Sequence, residues 1–191
     1  MARERKFSKQ ELFQLTKKLL LQHHYEGFTF SLLAQQLHVS RGTLYKYYEN
    51  KEELITDFML DEMDQFLISL KDIKHHNGFD AQFDFLLNLI LHRTDIHRLI
   101  GMGQQIPINI NEKVQTNKKK LDVMHLDMYR YLQNFIDLGR NEGILKPHLA
   151  DGLILGFIFQ TISIPNHFGI PQQEWISSIK EILRDGMSRK N

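Results

Sequence analysis

The sequence predicts an all-α fold, with a small three-helix domain at residues 1–52 and a larger helical body at residues 53–191. Three observations predict it. Apolar residues recur at helical spacing from Leu12 to Met187. Ser, Thr and Asn precede these runs where N-caps belong, and Gly or Pro follows many of them. No stretch alternates in the manner of a strand, and no repeat or low-complexity segment interrupts the pattern.

The elements follow in order. Ser8-Lys9-Gln10-Glu11 has the form of a capping box, and Leu12, Leu15 and Leu19 continue a first helix to about Gly27. Thr29 is placed to cap a short second helix burying Leu32, Leu33 and Leu37. His38-Val39 makes the turn, and Ser40 would cap a third helix containing Leu44, Tyr45 and Tyr48. Asn50-Lys51-Glu52-Glu53 opens a long fourth helix through Ile55, Phe58, Phe66 and Leu70, ending near His75-His76-Asn77-Gly78.

In the body, helices are expected around Phe79–His92 and Asp95–Gln105. A longer one should open at Asn117-Lys118-Lys119-Lys120 and run past Leu132 and Phe135 to about Gly143. The helix at about 149–164 is apolar almost all round, which predicts burial on most sides, and Gly152 and Gly156 would allow close helix approach. A last helix at about 172–187 carries Trp175, Ile176, Ile179 and Leu183.

Charge is unevenly distributed along the chain. Residues 1–51 hold nine Lys/Arg against four Asp/Glu, whereas residues 52–191 hold fifteen against nineteen. A basic head on a mildly acidic body points to a polyanionic partner for the head. With no cysteine, neither a disulfide framework nor a thiolate metal site arises. The basic residues Arg3, Arg5 and Lys6 are followed by no apolar h-region, and Leu153–Phe159 is too short to span a bilayer. A cytoplasmic protein without a membrane partner is expected.

The informative segment is Gly27 to Leu54. Two short helices joined by a tight turn and braced by a third make a helix-turn-helix reader of duplex DNA. Arg41, Gly42 and Thr43 lead the second motif helix, supplying a guanine-matching fork, room for close backbone approach, and a hydroxyl with a methyl. Tyr45, Lys46 and Tyr47 follow with groups that reach phosphates, and Lys51 adds charge beside backbone amides.

The run Ala34-x-x-Leu37-x-Val39-Ser40-x-Gly42-Thr43-Leu44-Tyr45-x-Tyr47-Tyr48-x-x-Lys51-Glu52-x-Leu54, preceded by Gly27-Phe28-Thr29, resembles the DNA-binding signature of the TetR family of bacterial regulators. The resemblance covers about the first third of the chain. Tyr48 departs from it, since phenylalanine is usual there. It implies that Thr29 caps the first motif helix and touches phosphate. Arg41, Gly42, Thr43 and Lys46 would face bases or nearby backbone, and Tyr45, Tyr47 and Lys51 would hold phosphates. It also implies that residues 53–191 form a dimerisation and ligand-binding domain. The homodimer would form through the last two helices on a near-palindromic operator, and a small-molecule effector of unknown identity would release it.

Tyr48 reads as core packing, and Tyr45 as a ring that packs while its hydroxyl reaches outward. Met102, Met124, His125, Met128, Tyr129 and Phe159, with Phe135, are the candidate effector-lining residues, although plain packing accounts for any single one. His125 is expected at the core-facing edge of its helix. His92 and His97 are five apart and no HExxH occurs, so no metal site is expected. Gly101-Met102-Gly103 lacks a third glycine and a preceding strand, so it is no dinucleotide fingerprint and no cofactor is expected. Without a nucleophile elbow, phosphate loop or clustered acid and base, no enzyme is expected.

Overall fold

The computed structural model describes residues 7–189, and among them the architecture is all-α. The helices are α1 (Lys9–Gly27), α2 (Phe30–Gln36), α3 (Arg41–Leu44), α4 (Lys51–Leu70), α5 (Phe79–Leu91), α6 (Thr94–Gln105), α7 (Glu112–Tyr131), α8 (Gln133–Asn141), α9 (Asp151–Gln160) and α10 (Gln172–Met187). Short 3-10 turns follow α4 at Lys71–His75 and α9 at Thr161–Ser163. Packing divides the chain into two compact units, one formed by the chain through Asp64 with Arg98–Val123, the other by Gln65–His97 with the chain from Met124 onward.

The first unit surrounds an apolar core. Leu20, Phe28, Leu33, Leu44, Leu54, Ile55 and Phe58 are shielded from water almost completely, and Leu99, Met102, Ile106 and Val114 join the same cluster. Local chemistry starts its helices where the sequence places them. Ser8 Oγ accepts from Glu11 N at 3.0 Å, Thr29 Oγ1 from Leu32 N at 3.3 Å, and Asn50 Oδ1 from Glu53 N at 2.8 Å.

In the second unit the rings of Phe83 and Phe135 both stack with Phe79, with centroids 6.0 and 4.7 Å away. Gly139 makes this packing possible, because a Cβ there would stand 2.5 Å from the Phe79 ring and 2.8 Å from Leu145. Glu142 Oε2 accepts the Phe79 N–H at 3.0 Å, supplying from a distance the cap that Gly78 lacks. Lys180 pairs with Asp84 and Arg184 with Asp80, tying α10 to α5. An isolated antiparallel bridge joins Leu145 to Ser188.

Several elements differ from the sequence expectation. The third helix is regular only over Arg41–Leu44 and then relaxes into turns, with Tyr47 N donating to Leu44 O at 2.9 Å. Ser40 makes no side-chain cap; its hydroxyl meets that of Thr43 at 3.0 Å instead. The fourth helix gives way to the 3-10 turn at Lys71, short of His75 to Gly78. The expected helix from Asn117 begins five residues earlier, where Asn111 Oδ1 caps Val114 N at 3.0 Å, and it is interrupted at Leu132, between the end of α7 at Tyr131 and the start of α8 at Gln133. The helix expected at 149–164 is regular over Asp151–Gln160, and it is not buried on most sides: Leu153 and Phe157 are 54 and 61% exposed. A Cβ at Gly152 or Gly156 would meet nothing within 4 Å, so neither serves close approach within the chain.

Candidate nucleic-acid interface

The chain enters the motif through an unusual bend. His24, at φ 57° and ψ 179°, breaks the end of α1 and turns Tyr25 inward until the residue is 8% exposed. Burial and the Glu52 carboxylate, which accepts the Tyr25 hydroxyl at 2.8 Å, push that phenol well above its usual range. Lys51 completes the arrangement. Its Nζ donates to Tyr25 O at 2.8 Å and Phe28 O at 3.3 Å, and lies 4.3 Å from the centre of the Tyr25 ring. The ammonium that the motif assigns to phosphate thus braces the α1–α2 loop.

Thr29 then caps α2, whose Phe30, Leu33 and Ala34 face the core. The turn closes with Val39 N donating to Ala34 O at 3.0 Å, and His38 adopts φ 53° to permit it. One turn of helix follows. Leu44 is buried beneath it, while Arg41 and Gly42 stand exposed and Thr43 is half-buried. A Cβ at Gly42 would meet only Ser40 Oγ, at 3.8 Å, so nothing within the chain crowds that position. Past the turn, Tyr45 is 55% exposed with its ring edge-on to Phe30 at 5.0 Å, and Lys46 is exposed. Tyr47 is half-buried, its ring 5.7 Å from Phe7. Tyr48 is buried and donates to Asp57 Oδ2 at 2.7 Å, which is the packing role expected of it.

Arg41, Gly42, Thr43, Tyr45, Lys46 and Tyr47 therefore lie on one short turn and its exit. Neither Arg41 nor Lys46 has an ion-pair partner among the described residues, so both cations are available to an outside anion. Such a surface can present a guanidinium fork, an ammonium and tyrosine groups to a nucleic-acid groove.

Sequence reasoning missed the support behind this turn. Glu53 Oε2 accepts Glu49 N at 3.1 Å and Oε1 accepts Asn111 Nδ2 at 2.6 Å. Asn117 Nδ2 donates to Thr56 Oγ1 at 3.1 Å, both residues being buried. Asn111-Glu112, a cap residue followed by an acid, was the available local signal.

The six candidate effector residues are divided between the two units. Met102 is 4% exposed in the core of the first unit. The others belong to the second, where Met128 is buried and Tyr129 lies 5.7 Å from Phe159, which meets Phe66 edge-on at 6.3 Å. Burial raises the Tyr129 phenol above its usual range. Met124 is half-buried, and His125 is exposed where a core-facing position was expected, because that side of α7 turns to solvent. A cleft of about 320 Å³ in this unit is lined by Lys71, Ile73, Lys74, Gln82, Tyr131, Leu132, Asn134 and Phe135. Phe135 borders it.

Comparison with known proteins bears on this surface directly. The family model for bacterial regulatory proteins, tetR family, matches residues 12–57. An HTH-type transcriptional regulator of Staphylococcus aureus is 23% identical over 108 residues, covering 54% of this chain and 58% of the relative. The match thus spans little more than half the length of that relative. Among solved structures, a putative transcriptional regulator from Saccharomonospora viridis in complex with choline superposes with TM-score 0.75 at 12% identity, covering 95% of this chain and 97% of that one. FadR from Bacillus subtilis in complex with stearoyl-CoA gives 0.71 at 18% identity, covering 94 and 99%. A TetR transcription regulator from Haloarcula marismortui gives 0.70 at 19%, covering 94 and 97%. At these identities the structural likeness speaks for the fold. No helix of the described residues is long and apolar enough to cross a membrane.

Proposed function

Through residues 12–57 the chain belongs to the TetR family of bacterial DNA-binding regulators, and from that premise we propose that it is a repressor released from its operator by a small molecule. The observation that carries the reading is the exposed turn from Arg41 to Lys46, with two cations that have no ion-pair partner among the described residues beside an uncrowded Gly42. Arg41 and Thr43 read base edges, Gly42 admits the backbone, and Thr29, Tyr45, Lys46 and Tyr47 hold phosphates, while Lys51 acts as a brace. Two copies, joined through α9 and α10, present two such turns to a near-palindrome. The role is binding, without catalysis. Proteins of the same fold that hold choline and stearoyl-CoA support an effector in the helical body.

The test is a salt series of binding to the DNA flanking the chain's own gene, against scrambled duplex of equal length. Tight, steeply salt-dependent binding to the native fragment alone is the expected result. Arg41→Ala should weaken binding by about 1–3 kcal/mol and relax the preference at one base pair, whereas Lys46→Ala should weaken all sequences alike and lower the salt slope by about one. Equal, weak binding of both duplexes by the unaltered chain would sink the proposal.

A second reading, a regulator without an effector, is favoured by the burial of Met102 and Met128, at 4 and 3% exposure, as expected of plain core packing. Ligand binding to the folded state raises the unfolding temperature. A thermal shift with any member of a metabolite panel supports the effector, and none across the panel supports the second reading.

A further inference from the structure

We infer that Asn111 and Glu53 form a polar latch that positions the recognition turn, Arg41 to Tyr48, by tying its exit to the segment around the start of α7 in the same compact unit. The inference rests on the reading of that turn as the DNA-facing element.

The turn needs such support. A four-residue helix has gained almost none of the propagation that offsets the cost of its nucleus, and α3 has no side-chain cap. Its placement comes from what surrounds it. Leu44 anchors it from below, and the chain leaves it through Tyr48, Glu49 and Asn50 into α4. Glu53 sits just past that exit and is 4% exposed. One of its oxygens accepts the Glu49 N–H at 3.1 Å and lies 3.9 Å from Lys113 Nζ; the other accepts Asn111 Nδ2 at 2.6 Å. A second Asn111 contact reaches Glu49 Oε2 at 3.3 Å.

Asn111 faces two ways. Its carbonyl oxygen caps α7 at Val114 N while its amide nitrogen holds the two carboxylates. Two contacts reinforce the joint. Asn117 donates to Thr56, whose own hydroxyl donates to Glu52 O at 2.8 Å, and the Lys113 ammonium stands 5.1 Å from the centre of the Tyr48 ring. Apolar packing would hold these helices together without fixing their register. A buried carboxylate is different: it is tolerated only while its directional partners stay in place, so it specifies one position of the Glu49 backbone. Displacement of the α7 start would remove the Asn111 donor and leave Glu53 to find water, releasing the exit of the turn.

Asn111→Asp separates this role from capping. Aspartate caps a helix as well as asparagine does and has its shape, yet it places a carboxylate where the donor stood. Adding Glu53→Gln restores a donor and acceptor pair with the roles exchanged. The measurements are amide hydrogen exchange on the full chain and affinity for the duplex flanking its own gene. In Asn111→Asp, amides from Leu44 to Glu53 should exchange about tenfold faster or more, with those of α1 and of residues 115–120 unchanged, and DNA affinity should fall by about tenfold. Both should recover largely in the double variant, as coupled neighbours do. Asn111→Ser, which keeps a capping oxygen without the amide or a new charge, should loosen the same amides.

Unchanged exchange over 44–53 in Asn111→Asp and Asn111→Ser overturns the latch, and so does a double variant that recovers nothing. Faster exchange with undiminished affinity overturns its role in positioning the turn for DNA. Should the unaltered chain bind no duplex specifically, the DNA reading fails by itself, and the exchange data still decide whether the latch holds the turn.

Discussion

His24 is a histidine in a region of backbone space that glycine occupies almost alone, at φ 57° and ψ 179°. What it achieves is local and specific: it ends α1 with a bend that puts the Tyr25 ring under Lys51 and the Tyr25 hydroxyl on Glu52. Such a conformation costs about 1–3 kcal/mol in a residue with a Cβ, and glycine avoids that strain at an entropic cost of roughly 0.5–1 kcal/mol. His24→Gly should therefore stabilise the chain by about 1 kcal/mol, read as a raised denaturant midpoint with an unchanged slope. An unchanged or lowered midpoint would mean that the histidine ring makes contacts that offset the strain. The same scale shows what single residues disclose in sequence. Tyr48 was legible as packing because its spacing from Leu44 places it over the small core. Lys51 was not, because the carbonyls it holds, at Tyr25 and Phe28, come from far upstream in the chain.

Elements whose start is decided within four residues were mostly legible, α7 with its Asn111 cap being the exception, and those decided by distant partners were not. Ser8, Thr29 and Asn50 each cap the helix that follows within three residues, so the pattern and the hydrogen bond coincide. The α7–α8 break at Leu132 carries no glycine or proline and interrupts an unbroken apolar repeat, so nothing local announces it. The same holds for the next junction, where Arg140 hydrogen-bonds Asp151, Leu149 O at 2.6 Å and Lys146 O at 3.0 Å, joining α8 to the start of α9. Hydrogen bonds from Arg140 and then Gln133 hold the Asp151 carboxyl below its usual value of 3.8. A depressed folded-state value means stability that is present above about pH 4 and lost as pH falls through the lower folded value. The Asp151 side chain is 37% exposed, so solvent screens the pair and the effect should be small. Asp151→Asn should flatten part of the acid limb of a stability profile while leaving neutral-pH folding two-state. An acid limb identical in both proteins would remove the pair from the account.

At the scale of the whole molecule, what α9 and α10 leave uncovered bears on assembly. Ile154, Leu155 and Ile158 are buried, whereas Leu153 and Phe157, one turn apart, are 54 and 61% exposed, with Gly152 and Gly156 open beside them. Ile182 on α10 is 72% exposed and Phe168 between the helices 92%. Exposed leucine, isoleucine and phenylalanine on two contacting helices and the segment between them leave apolar surface in water, where burial of each such side chain would gain about 1.5–3 kcal/mol. A second copy of the same two helices would cover them with self-complementary chemistry, as two-fold symmetry requires. Phe157→Glu with Ile182→Glu would place charge on the proposed contact without altering a buried side chain, so a folded monomer is the expected product. Sedimentation should show half the mass of the unaltered chain while the helical circular dichroism remains. Because a dimer engages two half-sites at once and a monomer only one, operator affinity should fall by much more than either substitution does to folding. A variant that stays dimeric would move the interface off α9 and α10. One that becomes monomeric yet binds the full operator undiminished would mean that each recognition turn acts alone.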